Sequence, residues 1–222
     1  MKKIYLALCL MLSTLCASAQ LVKTYNQKGY TLNFTNNDPT LDSVVQRRMI
    51  ETFFKVYPAL ANEYNKNTAK TVTIAIDKAY DGVAATGDAH VVVNPEWMRK
   101  HPEDIDVVTH EVMHIVQDYG DTNGPGWLTE GIADFARNKF GINNAAAKWS
   151  IGGYNTKQNY DNSYNVTARF LYWIEKKKKK GIVQVLDKQM RDHKYVDTVW
   201  ADQTGKTLDQ LWVEYAANPD VS

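Results

Sequence analysis

Apolar and polar positions alternate along the first half of the chain with two different periods. Residues 44–60 place apolar side chains at helical spacing, and the preceding Asp38 and Pro39 have the composition of a helix start. Two β-rich segments follow at 71–77 and 89–93, on either side of a glycine-containing turn region. The pattern therefore predicts one long amphipathic helix followed by strands.

Helical periodicity dominates the second half of the chain. An apolar stripe lies between Pro102 and Gly120, and a second helical segment covers about 127–141, after a run of turn-forming residues. Further amphipathic segments span 166–180, 183–190 and 208–216. Strands therefore precede the central helix and helices follow it. This order predicts an α+β fold with a strand-rich upper lobe, about 20–120, a helical lower lobe, about 121–222, and a cleft between them.

Residues 1–19 have the pattern of a secretory signal peptide: two lysines, a short apolar run and small residues before Gln20. The apolar run is shorter than the roughly 20 residues that cross a bilayer. We therefore expect an exported protein, periplasmic or extracellular, whose mature part 20–222 is a single catalytic domain. Lipidation of Cys16 is the weaker alternative, because Leu15 occupies a position where lipoproteins carry a small residue.

Charge and cysteine content exclude several classes of protein. The chain has 26 basic side chains, two of them in the predicted signal, against 25 acidic ones, so the mature charge is near −1. This balance gives no long-range attraction to nucleic acid or anionic membranes, so we expect neither as a partner. We expect the protein to be a monomer. The lysines of 176–180 fit the last turn of a helix. Both cysteines, Cys9 and Cys16, lie in the predicted signal, which leaves no thiolate for a metal site.

The central helix carries a pattern typical of metal binding. Residues 110–114 read His-Glu-Val-Met-His. His110 and His114 are four residues apart, so on a helix both imidazoles face the same way and can bind one metal ion, with Glu111 beside its open side. Zinc (Zn²⁺) held by two histidines and one further protein ligand keeps a position for water, whose pKa falls to about 7. The pattern predicts Glu111 as the general base that takes a proton from this water.

A catalytic zinc needs a third protein ligand. A third histidine six residues after His114 is excluded, because Gly120 occupies that position. Glu130 lies on the next predicted helix, and Asp134 lies one turn further along the same face. We therefore predict Glu130 as the third ligand. Asp134 is then placed to accept the second ring proton of His110 and to fix that ring.

Four segments carry a family resemblance, and they span 110–117, 125–134, 164–171 and 211–215. Together they resemble the plant basic secretory protein family and its bacterial relatives, which are similar to zinc metallopeptidases of the gluzincin type, such as thermolysin. The resemblance covers nearly the whole mature chain. It implies a zincin-like fold with the metal site in the cleft, His110, His114 and Glu130 as zinc ligands, Glu111 as the base and Asp134 as the residue that orients a ligand.

Two further roles concern the substrate. Hydrolysis of a carbonyl requires a donor to the oxyanion, and Tyr164 is the first candidate and Tyr160 the second, although tyrosines more often serve packing. In zincin-like folds the substrate lies along an edge strand above the metal helix. Here that strand would contain Ala89, His90 and Val91, which would bind the substrate backbone by strand addition. The alternatives to substrate binding are that Val91 packs in the core and that His90 lies at the surface.

These features favour a secreted zinc-dependent metallopeptidase acting on protein or peptide substrates. One alternative is a catalytically idle binding or defence module of the same fold, but a purely structural zinc site normally has four protein ligands. Another is a zinc exopeptidase or an amidase that acts on cell-wall peptides. An exopeptidase needs a charged group to anchor the free terminus of its substrate, and the sequence does not identify one.

Overall fold

The structure, a computed structural model, describes residues 22–122 and 124–221. The predicted signal peptide and its cleavage site lie outside the described residues. Within them the chain forms one five-stranded sheet and eight helices, so the α+β prediction is confirmed. No helix of this part of the chain has the length and apolar character needed to span a bilayer.

The sheet is mixed. Its strands are β1 (Val22–Gln27), β2 (Tyr30–Asn36), β3 (Thr71–Ile76), β4 (Ala84–Gly87) and β5 (His90–Val93). Their order across the sheet is β1-β2-β3-β5-β4, with β2, β3 and β5 parallel and the two outer strands antiparallel to their neighbours. The three parallel strands are rich in β-branched residues, which suit strands that are buried between layers.

The helices are α1 (Ser43–Glu63), α2 (Pro95–Lys100), α3 (Val107–Gln117), α4 (Gly126–Phe140), α5 (Tyr164–Lys177), α6 (Ile182–Arg191), α7 (Thr198–Thr204) and α8 (Leu208–Ala217). Helix α3 is buried along almost its whole length, because it packs against α1, α4 and the β4 end of the sheet. Helix α4 packs closely on α5: a Cβ at Gly131 would clash with the side chain of Thr167. This close approach brings the start of α5 towards α3.

The predicted start of the first helix is wrong by four residues. Helix α1 begins at Ser43, and the side chain of Asp42 accepts the capping hydrogen bond from the Val44 amide at 2.7 Å. Asp38 is buried and forms an ion pair with Arg99 at 2.6 Å. The local pattern predicts Asp38 as the N-cap of the first helix, but in the structure Asp38 forms this tertiary ion pair instead.

The prediction that residues 89–93 form the edge strand is also wrong. Strand β5 pairs with β3 on one side and with β4 on the other, so both of its edges are occupied. The edge nearest the metal helix is β4. Its sequence, Ala-Ala-Thr-Gly, has neither the β-branched content nor the alternation that predicts a strand, and only its pairing with β5 reveals it.

Candidate metal centre and catalytic cavity

A cavity of about 850 Å³ opens above α3. The edge strand β4 forms one wall, helices α3 and α4 form the floor, and the loop 141–163 with the start of α5 closes the other side. All three predicted metal ligands line it, together with Glu111, Asp134 and Tyr164.

Three nitrogen and oxygen atoms converge in this cavity. The Nε2 atoms of His110 and His114 lie 3.2 Å apart, and Oε2 of Glu130 lies 3.2 Å from the first and 3.6 Å from the second. A tetrahedral zinc ion with ligands at about 2.1 Å would separate its ligands by roughly 3.4 Å. Two imidazoles and one carboxylate are also the donor set of many catalytic zinc sites. The residues therefore fit a zinc ion both in spacing and in chemistry.

Each histidine is oriented through its second ring nitrogen. Nδ1 of His110 donates to Oδ1 of Asp134 at 2.7 Å. Nδ1 of His114 donates to Oε1 of Gln117 at 2.7 Å, and the amide of Gln117 donates in turn to the Thr129 carbonyl at 2.8 Å. With the donated proton on Nδ1, loss of the second ring proton, which metal binding requires, leaves the lone pair of each Nε2 facing the ligand cluster. This contact of Asp134 is predicted from the sequence, whereas that of Gln117 is seen only in the structure.

The electrostatics of the cluster favour a positive charge. Burial lowers the pKa of His110, but hydrogen bonds to Asp134 and Glu130 outweigh it and raise this pKa to about 9. Burial raises the pKa of Glu130, but hydrogen bonds to both histidines dominate and lower it to about 2. The carboxylates therefore hold a cationic charge at the position where the ligand atoms meet, which also suits a metal cation.

Glu111 lies beside the ligands and is held by the edge strand. The Thr86 hydroxyl donates to Oε2 of Glu111 at 2.6 Å, and Oγ1 of Thr86 also lies 3.1 Å from the backbone carbonyl oxygen of Glu111. Glu111 is 6% exposed, and among the described contacts its carboxylate forms no ion pair or hydrogen bond with His110, His114 or Glu130. This is the placement of a proton acceptor rather than of a fourth ligand.

The two candidate tyrosines differ in position. Tyr164 begins α5, lines the cavity and stacks its ring on that of His110, with centroids 6.1 Å apart and planes 22° apart. The negative charge of Glu130 is the main cause of a raised pKa for Tyr164, so its hydroxyl stays protonated and can donate. Tyr160 lies outside the lining of this cavity, and its hydroxyl donates to Asp209 at 3.0 Å.

The predicted substrate-binding residues Ala89, His90 and Val91 do not line the cavity. Val91 is fully buried in the core, and neither Ala89 nor the exposed His90 contributes to the cavity lining. The reason is the topology described above, since β4 lies between β5 and the cavity. Residues 84–86 of β4 line the cavity instead.

The fold has counterparts among solved structures. Aminopeptidase A from Legionella pneumophila, solved with aspartic acid, is 14% identical with a TM-score of 0.59, over 87% of this chain and 27% of that chain. The M1 zinc metallopeptidase from Deinococcus radiodurans is 12% identical with a TM-score of 0.40, over 90% of this chain and 48% of that one. The chain thus spans about a quarter and about half of these two structures. The first likeness supports the zincin-like fold.

Comparison of sequences gives the family. No curated protein matches the chain. A family model described as "Peptidase of plants and bacteria" matches residues 20–215. Because this match covers nearly the whole chain, the protein belongs to this family of plant and bacterial peptidases.

Proposed function

We propose that this protein is a secreted zinc-dependent metallopeptidase that hydrolyses peptide bonds. The observation that carries the proposal is the spacing of the three ligand atoms of His110, His114 and Glu130, which is that of ligands around one tetrahedral ion. Membership of a peptidase family supports the reaction class. The glutamate beside the ligands supplies the proton acceptor that hydrolysis needs.

The roles of the side chains follow from their contacts. His110, His114 and Glu130 would hold zinc, which when bound supplies a Lewis acid that polarises the substrate carbonyl and lowers the pKa of water. Glu111 accepts a proton from the attacking water as the water oxygen bonds to the carbonyl carbon. It then gives this proton to the amine nitrogen as the carbon–nitrogen bond breaks. Thr86 keeps the carboxylate oriented throughout.

The substrate path is defined by β4. One edge of this strand pairs with β5. The other edge pairs with no strand of the described sheet, and residues 84–86 line the cavity. An extended peptide can add to such an edge through backbone hydrogen bonds, as an additional strand. Tyr164 lines the same cavity and stacks on the ring of His110, and a phenolic donor at this position can stabilise the oxyanion that forms during attack.

The cavity favours an endopeptidase over an exopeptidase. Among the described residues that line it, the permanent cation is Arg137, and its guanidinium is already bound by Asp104 and Asn144. The carboxylates of Glu130 and Asp134 are bound by histidines. None of these groups is therefore free to anchor a charged substrate terminus. A catalytically idle module is disfavoured because three ligands and a neighbouring glutamate leave room for water.

The proposal is tested by metal analysis combined with one substitution. The purified protein should contain about one zinc per chain and should degrade an unfolded protein such as casein. Activity should disappear with a chelator and return with zinc. Glu111→Gln should retain zinc and lose about 100-fold or more in kcat, which is the range of general base catalysis. Glu51→Gln, on the exposed face of α1, is the matched control and should behave as the wild type.

Two results would contradict the proposal. One is a protein that binds no zinc at micromolar concentrations of the metal. The other is a Glu111→Gln variant that hydrolyses casein at the wild-type rate. Export is tested separately, since the amino-terminal sequence of the protein recovered outside the cytoplasm should begin at Gln20.

A further inference from the structure

One wall of the cavity is an indole ring that does not pack on the protein core. Trp149 lies in the loop between α4 and α5, is half-buried and lines the cavity. The other tryptophans belong to the core or pack against it, and they are Trp97, Trp127, Trp173, Trp200 and Trp212. Among the described residues, Trp149 also stacks on no other aromatic ring. A large aromatic side chain that contributes nothing to the core is available to a ligand.

The position of this indole is fixed from below by Arg137. The guanidinium carbon of Arg137 lies 4.3 Å from the centroid of the Trp149 ring, within the range of a cation–π contact. Arg137 is 5% exposed and is held by an ion pair with Asp104 and by a hydrogen bond from Nε to Asn144 at 3.1 Å. The Trp149 amide donates to the Asn144 carbonyl at 2.9 Å. The ring is thus held in place before any substrate arrives.

The chemistry around Trp149 favours an uncharged group. The charge of Arg137 is compensated by Asp104, so the guanidinium supports the ring rather than attracting an anion. Val83, which is 38% exposed, lines the same cavity from the segment that leads into β4. An indole and an aliphatic side chain in one cavity suit an apolar or aromatic group.

The distance to the reacting bond is suitable for a substrate side chain. Glu130, Asp134 and Arg137 follow one another on the same face of α4 at spacings of four and three residues. Seven residues of helix span about 10 Å, so the backbone of Arg137 lies roughly that far along α4 from the backbone of Glu130. An extended peptide rises about 3.4 Å per residue. A side chain within one or two residues of the scissile bond can therefore reach Trp149.

We infer that Trp149, supported by Arg137, forms a subsite that selects a large apolar or aromatic side chain near the scissile bond. This inference rests on the proposed peptidase function and adds a substrate class to it. The preference should be about tenfold or more for phenylalanine over alanine at the position that contacts the ring, as expected for one apolar pocket.

The test measures binding rather than hydrolysis. Glu111→Gln protein loaded with zinc is titrated with blocked peptides that differ only by phenylalanine or alanine at each of the two positions on either side of the scissile bond. One position should show the preference. Adding Trp149→Ala should reduce the ratio of the two dissociation constants to about 1, whereas Trp149→Phe should keep most of it. Trp212→Phe, outside this cavity, is the control and should keep the full ratio.

The outcomes separate this inference from the proposed function. Equal binding of the phenylalanine and alanine peptides at all positions, or a ratio that survives Trp149→Ala in a variant with unchanged zinc content and thermal unfolding, would overturn the inference alone. Tighter binding of N-acetylglucosamine oligomers than of any peptide would also overturn it, since sugars stack on indoles too. Failure of the wild type to bind zinc or to hydrolyse casein would instead overturn the proposed function.

Discussion

The hydroxyl of Thr86 donates a hydrogen bond of 2.6 Å to the carboxylate of Glu111, and this contact ties the edge of the sheet to the proposed base. Thr86 belongs to β4, and it lines the cavity together with Ala84 and Ala85 of the same strand. The strand that would align the substrate backbone therefore also orients the group that activates water. Substrate alignment and proton transfer thus depend on the same short element.

Replacing Thr86 by valine should lower kcat without loss of zinc. Valine keeps the shape and the β-branch of threonine, but it removes a hydrogen bond to a charged group, which is worth about 1.5–3 kcal/mol. We expect a fall in kcat of about tenfold or more, with zinc content unchanged. Thr86→Ser keeps the hydroxyl and should recover most of the rate. A valine variant with the wild-type kcat would show that Glu111 is oriented by other contacts.

Loss of the Asp134 carboxylate should weaken zinc binding without abolishing it. The residue accepts a hydrogen bond from the ring of His110, and loss of such a partner typically costs 10- to 100-fold in metal affinity. Asp134→Asn should therefore raise the zinc dissociation constant by about this factor, measured by competition with a chelator. The exposed Asp88→Asn serves as the control and should leave it unchanged. An unchanged constant in both variants would exclude Asp134 as the orienting group.

Gln117 gives a second and separable test of ligand orientation. Its side-chain oxygen accepts from His114, and its amide donates to the Thr129 carbonyl. Gln117→Leu removes both bonds and should weaken zinc binding by about tenfold. Gln117→Glu keeps the acceptor and loses only the donor, so it should keep the zinc affinity and lose stability. If Gln117→Glu weakened zinc binding as much as Gln117→Leu, the contact to Thr129 would be the important one.

Local sequence spacing predicts each half of the ligand cluster. His110 and His114 share a helix face because four residues are close to one helical turn, and Glu130 shares a face with Asp134 for the same reason. The structure places one ligand atom of each of the three predicted ligands within 4.8 Å of the others. Local spacing does not predict that α4 packs against α3. The family resemblance indicates this contact, because it implies that His110, His114 and Glu130 bind one metal ion.

The features that the sequence does not predict depend on contacts between distant segments. Thr86 reaches Glu111 only because β4 pairs with β5 at the edge of the sheet. Trp149 reaches the cavity from the long loop 141–163, which has no periodicity to interpret. The hairpin of β1 and β2 was likewise absent from the predicted elements. The two-residue turn at Lys28 and Gly29 fixes the register of this hairpin, and its strand β2 pairs in addition with β3, 40 residues further along the chain.

The start of α5 contains a backbone conformation that costs stability. Ser163 has φ 63° and ψ 179°, a region that only glycine adopts readily, and its side chain makes no capping hydrogen bond. Ser163→Gly should therefore stabilise the protein by roughly 1 kcal/mol, and so raise the melting temperature by about 2–4 °C. Ser43→Gly, at a position outside the left-handed region, is the control and should destabilise slightly. A lower melting temperature for Ser163→Gly would contradict the assigned strain.

A buried carboxylate connects α6 to the end of the metal helix. Asp187 is fully buried, forms an ion pair with Arg191 at 2.8 Å and accepts a hydrogen bond from Tyr119 at 3.1 Å. Arg191 also donates to the Tyr64 carbonyl at 2.9 Å. Burial is the dominant cause that raises the pKa of Asp187 to about 6, although Arg191 and Tyr119 oppose it. The folded protein therefore keeps this proton at pH values where the unfolded chain has lost it.

This raised pKa predicts how stability changes with pH. A carboxyl whose pKa is higher in the folded state loses stabilisation as pH rises from about 4 to about 6, by up to roughly 3 kcal/mol for this shift. Asp187→Asn removes the titration. The unfolding free energy of the variant minus that of the wild type, from urea unfolding in chelator, should therefore increase between pH 4 and pH 7. Asp192→Asn is the matched control. A hydrogen bond from Lys188 lowers the pKa of Asp192, so for this variant the same difference in unfolding free energy should decrease as pH rises. A difference for Asp187→Asn that stays constant or falls with pH would show that its carboxyl is ionised throughout this range.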